Sequence, residues 1–360
     1  MLDPTLQLIT DLTEANGVPG FEAEVRRVMR RYLEPVSDEI VTDHLGSIAG
    51  KKVGQSDGPV IMLAGHLDEV GFMVTMITED GFLKFLPLGG WWEQVMLAQR
   101  VNVHTHKGNL VGVVGSKPPH ILSAEERNKV VKKSDMFIDI GATSRAEAEA
   151  AGVRPGDPVI PICPTQTLVN PDLIMAKAWD NRYGCAVAIG VLQNLKSRAH
   201  RNVVYGVGTV QEEVGLRGAT TATNLIKPDI GFALDVGIAG DTPEVKAHEA
   251  MAKTGQGPVL VLYDATMVPH LKLRNLVIET AKAEGLPLQF DAIPGGGTDA
   301  GRMHIFGAGV PSVVIGVATR YIHSAASVFS RRDYEQAVRL VTALVERLDA
   351  QTVADVKTPG

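Results

Sequence analysis

Imidazole and carboxylate side chains stand at the ends of several apolar segments, where they could bind metal ions together. These side chains are His66, Asp68, Asp180, Glu212, Glu213, Asp235 and His323. Imidazole and carboxylate ligands without a thiolate favour zinc, cobalt or manganese over an iron–sulfur cluster or a structural cysteine site. Because one catalytic ion with an open position needs fewer ligands, the set predicts a pair of divalent ions.

The two predicted ions can share these ligands if Asp180 bridges them. One ion then takes His66 and Asp235, and the other takes Glu213 and His323, at a separation of about 3.5 to 4 Å. This arrangement leaves Glu212 free for another role.

Adjacent Glu212 and Glu213 are expected to differ in role. Neighbouring residues on an extended strand face opposite ways, so the two carboxylates cannot reach the same point unless the strand ends there. We expect Glu213 to bind metal and Glu212 to act as the general base. The nucleophile would be a metal-bridging hydroxide, since water on such an ion has a pKa of about 7. Asp68 is expected to accept the second N–H of the His66 imidazole.

Each of these residues is weak evidence when taken alone. A single buried histidine or aspartate is more often a hydrogen-bonded core group or a helix cap than a ligand. An isolated pair of glutamates is commonly a solvated turn. The prediction depends on their occurrence together at segment ends, because open α/β sheets place their ligands at the C-terminal edge of the strands.

The segments that carry these residues predict an α/β fold with a mainly parallel sheet and helices on both faces. Residues 59–65 form an apolar run without a polar alternate face, which is typical of a strand covered on both sides, and it ends at His66. Beyond residue 165, strand-like and helix-like segments alternate. The strand-like segments are 173–178, 203–210, 230–236, 259–263, 289–293 and 312–317, and the helix-like ones are 183–195, 271–283 and 332–350. Apolar spacing predicts two further helices at 5–16 and 21–33.

The part of the chain from residue 71 to about 164 has a different texture. It contains short alternating segments interrupted by glycines, which predict a small β-rich unit. We therefore expect a discontinuous catalytic domain formed by 1–68 and 166–360, interrupted by an inserted β-rich domain at 69–165.

Composition narrows the class of partner. The 360 residues include 35 Lys and Arg against 41 Asp and Glu, a net charge of −6, with no dense basic run that could follow a phosphate backbone. Nucleic acid is therefore not an expected partner. Cys163 and Cys185 are the only cysteines, which suits a reducing compartment.

The first 20 residues lack the basic start and apolar centre of a signal peptide. No run approaches the roughly 20 apolar residues needed to cross a bilayer. A cytoplasmic protein without a membrane partner is expected.

Several short strings together make the sequence resemble metallopeptidase family 42, the glutamyl aminopeptidase and tetrahedral aminopeptidase group. They occur in order over nearly the whole chain and include every proposed ligand. The strings are GHLDEVG at 65–71, AWDNR at 178–182, QEEVG at 211–215, ALD at 233–235, GGTDA at 296–300 and RYIHS at 320–324.

The resemblance implies an aminopeptidase that acts on short peptides through a dinuclear zinc or cobalt centre, with Glu212 as general base and Asp68 orienting His66. It also implies that the insert is a small β-barrel-like dimerisation domain, through which similar proteins form dimers and then hollow tetrahedral dodecamers. A cis peptide bond between Asp180 and Asn181 is a further expectation.

Two alternatives use the same residues. A metal-dependent deacylase or amidase would act on substrates whose N-terminus is blocked, and an assembly or binding protein would keep the acids without turnover. The glycine-rich string before Thr298 and Asp299 is expected near the substrate, although no contact is assigned to either residue. Substrate-binding side chains, and hence the preferred N-terminal residue, are not predicted.

Overall fold

The computed structural model describes residues 3–358. In that range the strands are β1 (Glu39–Thr42), β2 (Ile48–Val53), β3 (Val60–His66), β4 (Gly71–Ile77), β5 (Leu83–Leu88), β6 (Arg100–Thr105), β7 (Gly108–Gly115), β8 (Phe137–Asp139), β9 (Pro158–Pro161), β10 (Gln166–Thr167), β11 (Leu173–Ala176), β12 (Val203–Thr209), β13 (Ile230–Ile238), β14 (Val259–Asp264), β15 (Gln289–Ile293), β16 (Ser312–Thr319) and β17 (Ser327–Ser330).

The helices of the same range are α1 (Pro4–Glu14), α2 (Ala23–Leu33), α3 (Ala124–Arg127), α4 (Arg145–Ala150), α5 (Trp179–Leu195), α6 (Arg217–Ile226), α7 (Leu271–Ala283), α8 (Ala300–Met303), α9 (Arg331–Arg347) and α10 (Ala350–Lys357). Short 3-10 turns occur at Glu93–Val95, Pro119–Ile121 and Lys133–Asp135. None of these helices is both long and apolar enough to cross a membrane.

The main sheet has the order β1-β2-β12-β3-β13-β16-β14-β15. Its centre is parallel, since β12, β3, β13 and β16 run in one direction, as do β14 and β15 beside each other. Antiparallel pairs join β1 to β2, β2 to β12 and β14 to β16. The predicted parallel α/β fold is confirmed, and the sheet is flanked by antiparallel edges that the sequence did not indicate.

Both faces of the main sheet are covered by helices. On β3, Ile61 and Leu63 belong to the core shared with α1, α2, α5, α7 and α9. Met62 and Ala64 point to the opposite face and pack with residues of α6 and α8. This alternation, with apolar residues on both faces, explains why the strand lacks a polar face in the sequence.

Residues 173–178 are not a strand of the main sheet, so that prediction is wrong. β11 pairs antiparallel with β10 and with β17 in a separate sheet of order β10-β11-β17. A short apolar run has the same period whichever sheet it joins, and tertiary pairing decides the outcome. Asp180 therefore does not follow a strand of the main sheet but lies in the first turn of α5.

Close packing brings the start of α5 against the centre of the sheet. A Cβ atom at Gly184 would lie 2.0 Å from the carbonyl oxygen of Leu234, and one at Gly65 would lie 2.4 Å from the carbonyl carbon of Gly184. The absence of both side chains thus lets the ends of β3 and β13 approach α5. His66 and Asp235 are brought towards Asp180 by this contact.

The β-rich segment forms a closed barrel of order β4-β5-β8-β7-β6-β9. Its interior has a hydrophobic cluster of its own that includes Phe72, Val101, Ile138 and Val159. The ring of Phe72 stacks on Trp91 with centroids 4.7 Å apart. A barrel-like unit within the α/β fold is therefore confirmed.

Candidate metal centre and active site

The predicted ligand residues converge at one edge of the main sheet. His66 ends β3, Asp235 lies on β13, and Glu212 with Glu213 follows β12 in a turn. Asp180 comes from α5 and His323 from the turn after β16. All of these residues line one cavity of about 820 Å³, a volume typical of small-ligand sites. The structure therefore brings the whole set together.

Asp180 lies between the two imidazoles. Its Oδ1 atom is 3.0 Å from Nε2 of His66, and its Oδ2 atom is 3.2 Å from Nε2 of His323. Each carboxylate oxygen thus faces a different histidine. This is the arrangement in which one carboxylate can bridge two ions, each with its own imidazole.

The tautomers of both histidines leave Nε2 available as a ligand. Nδ1 of His66 donates to the main-chain carbonyl oxygen of Asp68 at 3.0 Å, and Nδ1 of His323 donates to that of Gly90 at 2.8 Å. A carbonyl oxygen only accepts, so each Nδ1 carries the proton. In the neutral ring, the Nε2 lone pair then points at a carboxylate of Asp180. Two such acceptors facing each other need either a proton or a metal ion between them.

Two glutamates complete the inner surface. Oε2 of Glu212 is 3.7 Å from Nε2 of His66, and Oε2 of Glu213 is 3.7 Å from Nε2 of His323. Oε1 of Glu213 is buried and has no hydrogen-bond partner among residues 3–358, although a buried carboxylate oxygen ordinarily has one.

Two groups of ligand atoms are close enough to hold a metal ion. One consists of His66, Asp180 and Glu213, and the other of His66, Glu212 and Asp235. The second group includes Glu212, the predicted base, whereas only His66 and Asp235 were predicted to bind that ion alongside Asp180. Proximity alone does not separate a ligand from a base, because both must lie beside the same ion.

The electrostatics of the cluster reflect crowded negative charge. Burial and the charge of Asp180 raise the pKa of Glu213 to about 8. Burial also raises the pKa of Glu212 and of Asp235 well above their ordinary values. Burial would lower the pKa of His323, but the hydrogen bond to Asp180 and the charges of Glu213 and Asp180 outweigh it and raise that pKa to about 10.

The donor set fits divalent cations. Several carboxylates with raised pKa values surround two imidazoles whose free nitrogen atoms point inward, and Glu213 offers an oxygen atom without a partner. Buried charge of one sign is costly unless opposite charge compensates it. A bound metal ion supplies that compensation and lowers the carboxylate pKa values again.

Asp68 is fully buried beneath the cluster, and its contacts differ from the expected ones. The nearest acceptor for Nδ1 of His66 is the main-chain carbonyl oxygen of Asp68. The carboxylate oxygen Oδ1 of Asp68 lies 3.6 Å from the same nitrogen atom. The carboxylate instead accepts the main-chain N–H groups of Glu212 and Glu213, each at 3.0 Å. Asp68 therefore holds the turn that carries both glutamates, in addition to orienting the imidazole.

The peptide bond between Asp180 and Asn181 is cis, as the family resemblance implied. The Asn181 side chain donates to the carbonyl oxygen of Leu234 at 2.7 Å and accepts the N–H of Gly184 at 2.9 Å. These bonds hold the start of α5 against β13.

The glycine-rich loop before α8 borders the cavity and is anchored by its last two residues. Thr298 donates to Oδ2 of Asp264 at 2.8 Å, and Asp299 accepts from Thr209 at 2.5 Å. Gly295 has open space where a side chain would begin. No contact of Thr298 or Asp299 was predicted from the sequence, where the GGTDA string was the only signal that marked them.

Two other contributors were missed because each makes a contact in which one partner is a main-chain group. The carbonyl group of Gly90 orients His323, and the carboxylate of Glu22 accepts the N–H of Gln211, which precedes the glutamate pair. A main-chain contact leaves no residue type in the sequence that would reveal it.

Comparison with known proteins gives matches over nearly the whole chain. A family model described as M42 glutamyl aminopeptidase matches residues 46–340, and one described as AMPT matches residues 3–29. The putative aminopeptidase FrvX of Escherichia coli (strain K12) is 42% identical over 349 residues, covering 97% of each chain.

Solved structures agree in fold. A TET aminopeptidase from a marine sediment archaeon of the Thaumarchaeota is 49% identical with a TM-score of 0.97, and the match covers 99% of both chains. The TET1 peptidase of Pyrococcus horikoshii is 30% identical with a TM-score of 0.85, and the match covers 96% of this chain and 100% of that one. That peptidase is described as assembling into a tetrahedron or a large octahedral shell.

Proposed function

Because the chain belongs to the M42 glutamyl aminopeptidase family and is an aminopeptidase, we propose that it removes single residues from the N-termini of short peptides with two divalent ions. The observation that carries this proposal is the position of Asp180 between His66 and His323, with both Nε2 atoms turned towards its carboxylate. Zinc or cobalt suits this set of nitrogen and oxygen ligands.

The proposed ligands divide around Asp180. His66 and Asp235 would hold one ion, and Glu213 and His323 the other, with Asp180 shared between them. When bound, the ions polarise the scissile carbonyl group and lower the pKa of water, which supplies a nucleophile near neutral pH.

Glu212 is proposed as the general base. Its carboxylate borders the cavity beside His66, and no hydrogen bond from another residue occupies its oxygen atoms in the described part of the chain. It is therefore free to take a proton from the attacking water and to return it to the leaving amine. Asp68 positions Glu212 through the main-chain N–H and does not contact the cavity.

The crowded carboxylates also favour substrates with a free amino terminus. Carboxylate oxygen atoms that border the cavity can accept hydrogen bonds from a free α-amino group, which an acetylated terminus lacks. We therefore prefer an aminopeptidase to a deacylase or amidase that acts on blocked substrates.

We further propose the domain division 1–68 with 166–360 and 69–165, together with a homo-oligomer that forms through the barrel. A tetrahedral dodecamer is the expected assembly, by analogy with TET1 peptidase structures described as a dodecamer and as a tetrahedron. Exposed apolar side chains on the barrel strands, including Val111, Val113 and Met76, support a contact there. The free thiols of Cys163 and Cys185 suit a cytoplasmic location.

The test is an assay of the chelated protein with aminoacyl-p-nitroanilides after addition of zinc, cobalt or manganese. Turnover should need added metal, and free substrates should react while N-acetylated ones do not. Preferred hydrolysis of acetylated substrates would support the deacylase alternative. Absence of turnover with every metal and substrate would support an assembly or binding role.

A further inference from the structure

Three consecutive main-chain N–H groups before and within the glutamate pair are each held by a buried carboxylate. Asp68 accepts those of Glu212 and Glu213, as described above. The carboxylate of Glu22 accepts the N–H of Gln211 at 3.1 Å and that of Gly20 at 2.8 Å. Two acids from distant parts of the chain therefore control the direction of one short turn.

The turn needs such control because its backbone is strained. Gln211 has a φ angle of +55°, in the left-handed region that non-glycine residues seldom occupy. Such a conformation persists where the surroundings over-determine it. The residue after it is Glu212, so any relaxation of Gln211 towards ordinary backbone angles would swing the proposed base away from His66.

Glu22 is itself part of a rigid support. It precedes α2, is only 6% exposed, and belongs to the loop of residues 15–22 between α1 and α2. In that loop the carbonyl oxygen of Gly17 accepts the N–H of Glu69 at 2.9 Å and a guanidinium N–H of Arg182 at 3.2 Å. One loop thus contacts the segments that follow His66, Asp180 and β12.

Resting on the proposed function, we propose that Glu22 is a positioning residue for the reaction, which places Glu212 by holding the N–H of Gln211. Glu22 does not line the cavity. Its carboxylate accepts a hydrogen bond from Gln211 at a distance that the length of the Glu22 side chain fixes, and it does not contact the substrate. Its loss should therefore lower kcat while leaving KM unchanged.

The test compares three substitutions of Glu22 in the metal-loaded enzyme, far below the melting temperature. Glu22→Ala removes the acceptor and should lower kcat by about 10- to 100-fold. Loss of residues that orient metal ligands without binding the metal typically has an effect of this size. Glu22→Gln keeps an acceptor oxygen at the same distance and should restore most of kcat. Glu22→Asp keeps the charge but is one methylene shorter, and should remain impaired.

The matched control is Glu24→Ala, which removes a carboxylate two residues further along, in the first turn of α2. Glu24 accepts a hydrogen bond from Asn16. It does not line the cavity and does not contact Gln211, so kcat should stay at the wild-type value. A readout besides turnover is the visible absorption of the cobalt-loaded protein. Glu22→Ala should alter that spectrum by moving the glutamate turn, whereas Glu22→Gln and Glu24→Ala should leave it unchanged.

Wild-type kcat and spectrum in Glu22→Ala would overturn the proposal, as would an active Glu22→Asp beside an impaired Glu22→Gln, which would show that charge matters instead. If Glu22→Ala does not fold, the comparison of the Asp and Gln variants decides. A wild-type protein without peptidase activity would refute the proposed function alone, because the cobalt spectra would still test the role of Glu22.

Discussion

Nδ1 of His323 donates to the carbonyl oxygen of Gly90 at 2.8 Å, so a residue between two barrel strands orients a proposed metal ligand. A Cβ atom at position 90 would lie 3.0 Å from that same Nδ1. We predict that Gly90→Ala displaces the imidazole and lowers both metal affinity and kcat by about 10-fold or more. Metal affinity is measured by competition with a chromogenic chelator.

Gly295→Ala provides the control for this substitution. Gly295 lines the same cavity but has open space for a Cβ atom. The metal affinity of the Gly295→Ala variant should equal that of the wild type. Equal metal affinity in Gly90→Ala and Gly295→Ala would show that the barrel segment does not orient His323.

Glu212→Gln should separate proton transfer from metal binding. The amide keeps the size of the side chain, and the main-chain bond to Asp68 is unaffected, so both ions should remain. Because an amide cannot accept the proton, kcat should fall by about 100-fold or more. Glu213→Gln should instead reduce metal content. The two variants are compared by metal analysis and by initial rates, and a Glu212→Gln enzyme that loses metal would identify Glu212 as a ligand.

Asp180→Ala should lose metal as well as activity. Both carboxylate oxygens face a histidine, so removal deprives each proposed ion of a ligand at once. Exposed Asp172 offers the control, since Asp172→Ala should retain full metal content. A variant of Asp180 that still binds two ions would rule out the bridging role. Metal content is measured after dialysis against buffer without metal.

Asp333, which lies outside the metal centre, should make the free energy of unfolding depend on pH. It is fully buried in the first turn of α9 and accepts the N–H groups of Gly255 and Gly257 at 2.6 and 2.8 Å. Burial raises its pKa from 3.8 to about 6, against the effect of these bonds. A raised carboxyl pKa means that its contribution to stability is full below about pH 3.8 and is lost as the pH rises through about 6.

The comparison for this prediction is Asp333→Asn, which stays neutral at every pH. The free energy of unfolding of the wild type, relative to that of Asp333→Asn, should fall as the pH rises from about 3.8 to about 6 and stay constant above. At about 1.4 kcal/mol per pH unit, the change should not exceed about 3 kcal/mol. Denaturant unfolding at several pH values measures it, and a difference independent of pH would contradict the raised pKa.

The central part of the fold was predictable because its strands are covered on both faces. β3 and β13 are nearly continuous apolar runs, and this pattern is typical of buried parallel strands. The strands β1 and β2, at one side of the sheet, are partly exposed and carry no such signal. β11 was misplaced since a four-residue apolar run does not specify which sheet it joins.

The residue types of the proposed ligands were predictable from the sequence, whereas the groups that orient these ligands were not. His66, Asp180 and His323 were selected because imidazoles and carboxylates are chemically distinctive at segment ends. The groups that orient them are the carbonyl groups of Asp68 and Gly90, and every residue type has one. Glu22 looks like an ordinary helix-start residue in the sequence, and only the folded chain shows its contact with Gln211.

The proposed ligands are spread along the chain from His66 to His323, and the loop at residues 15–22 precedes all of them in the sequence. A polypeptide emerging from the ribosome therefore displays its first ligand long before the last one has been synthesised. The two proposed ions could be bound as a pair only when almost the entire protein exists. A product truncated before His323 would lack a proposed ligand, so incomplete synthesis would not release an active protease among newly made proteins.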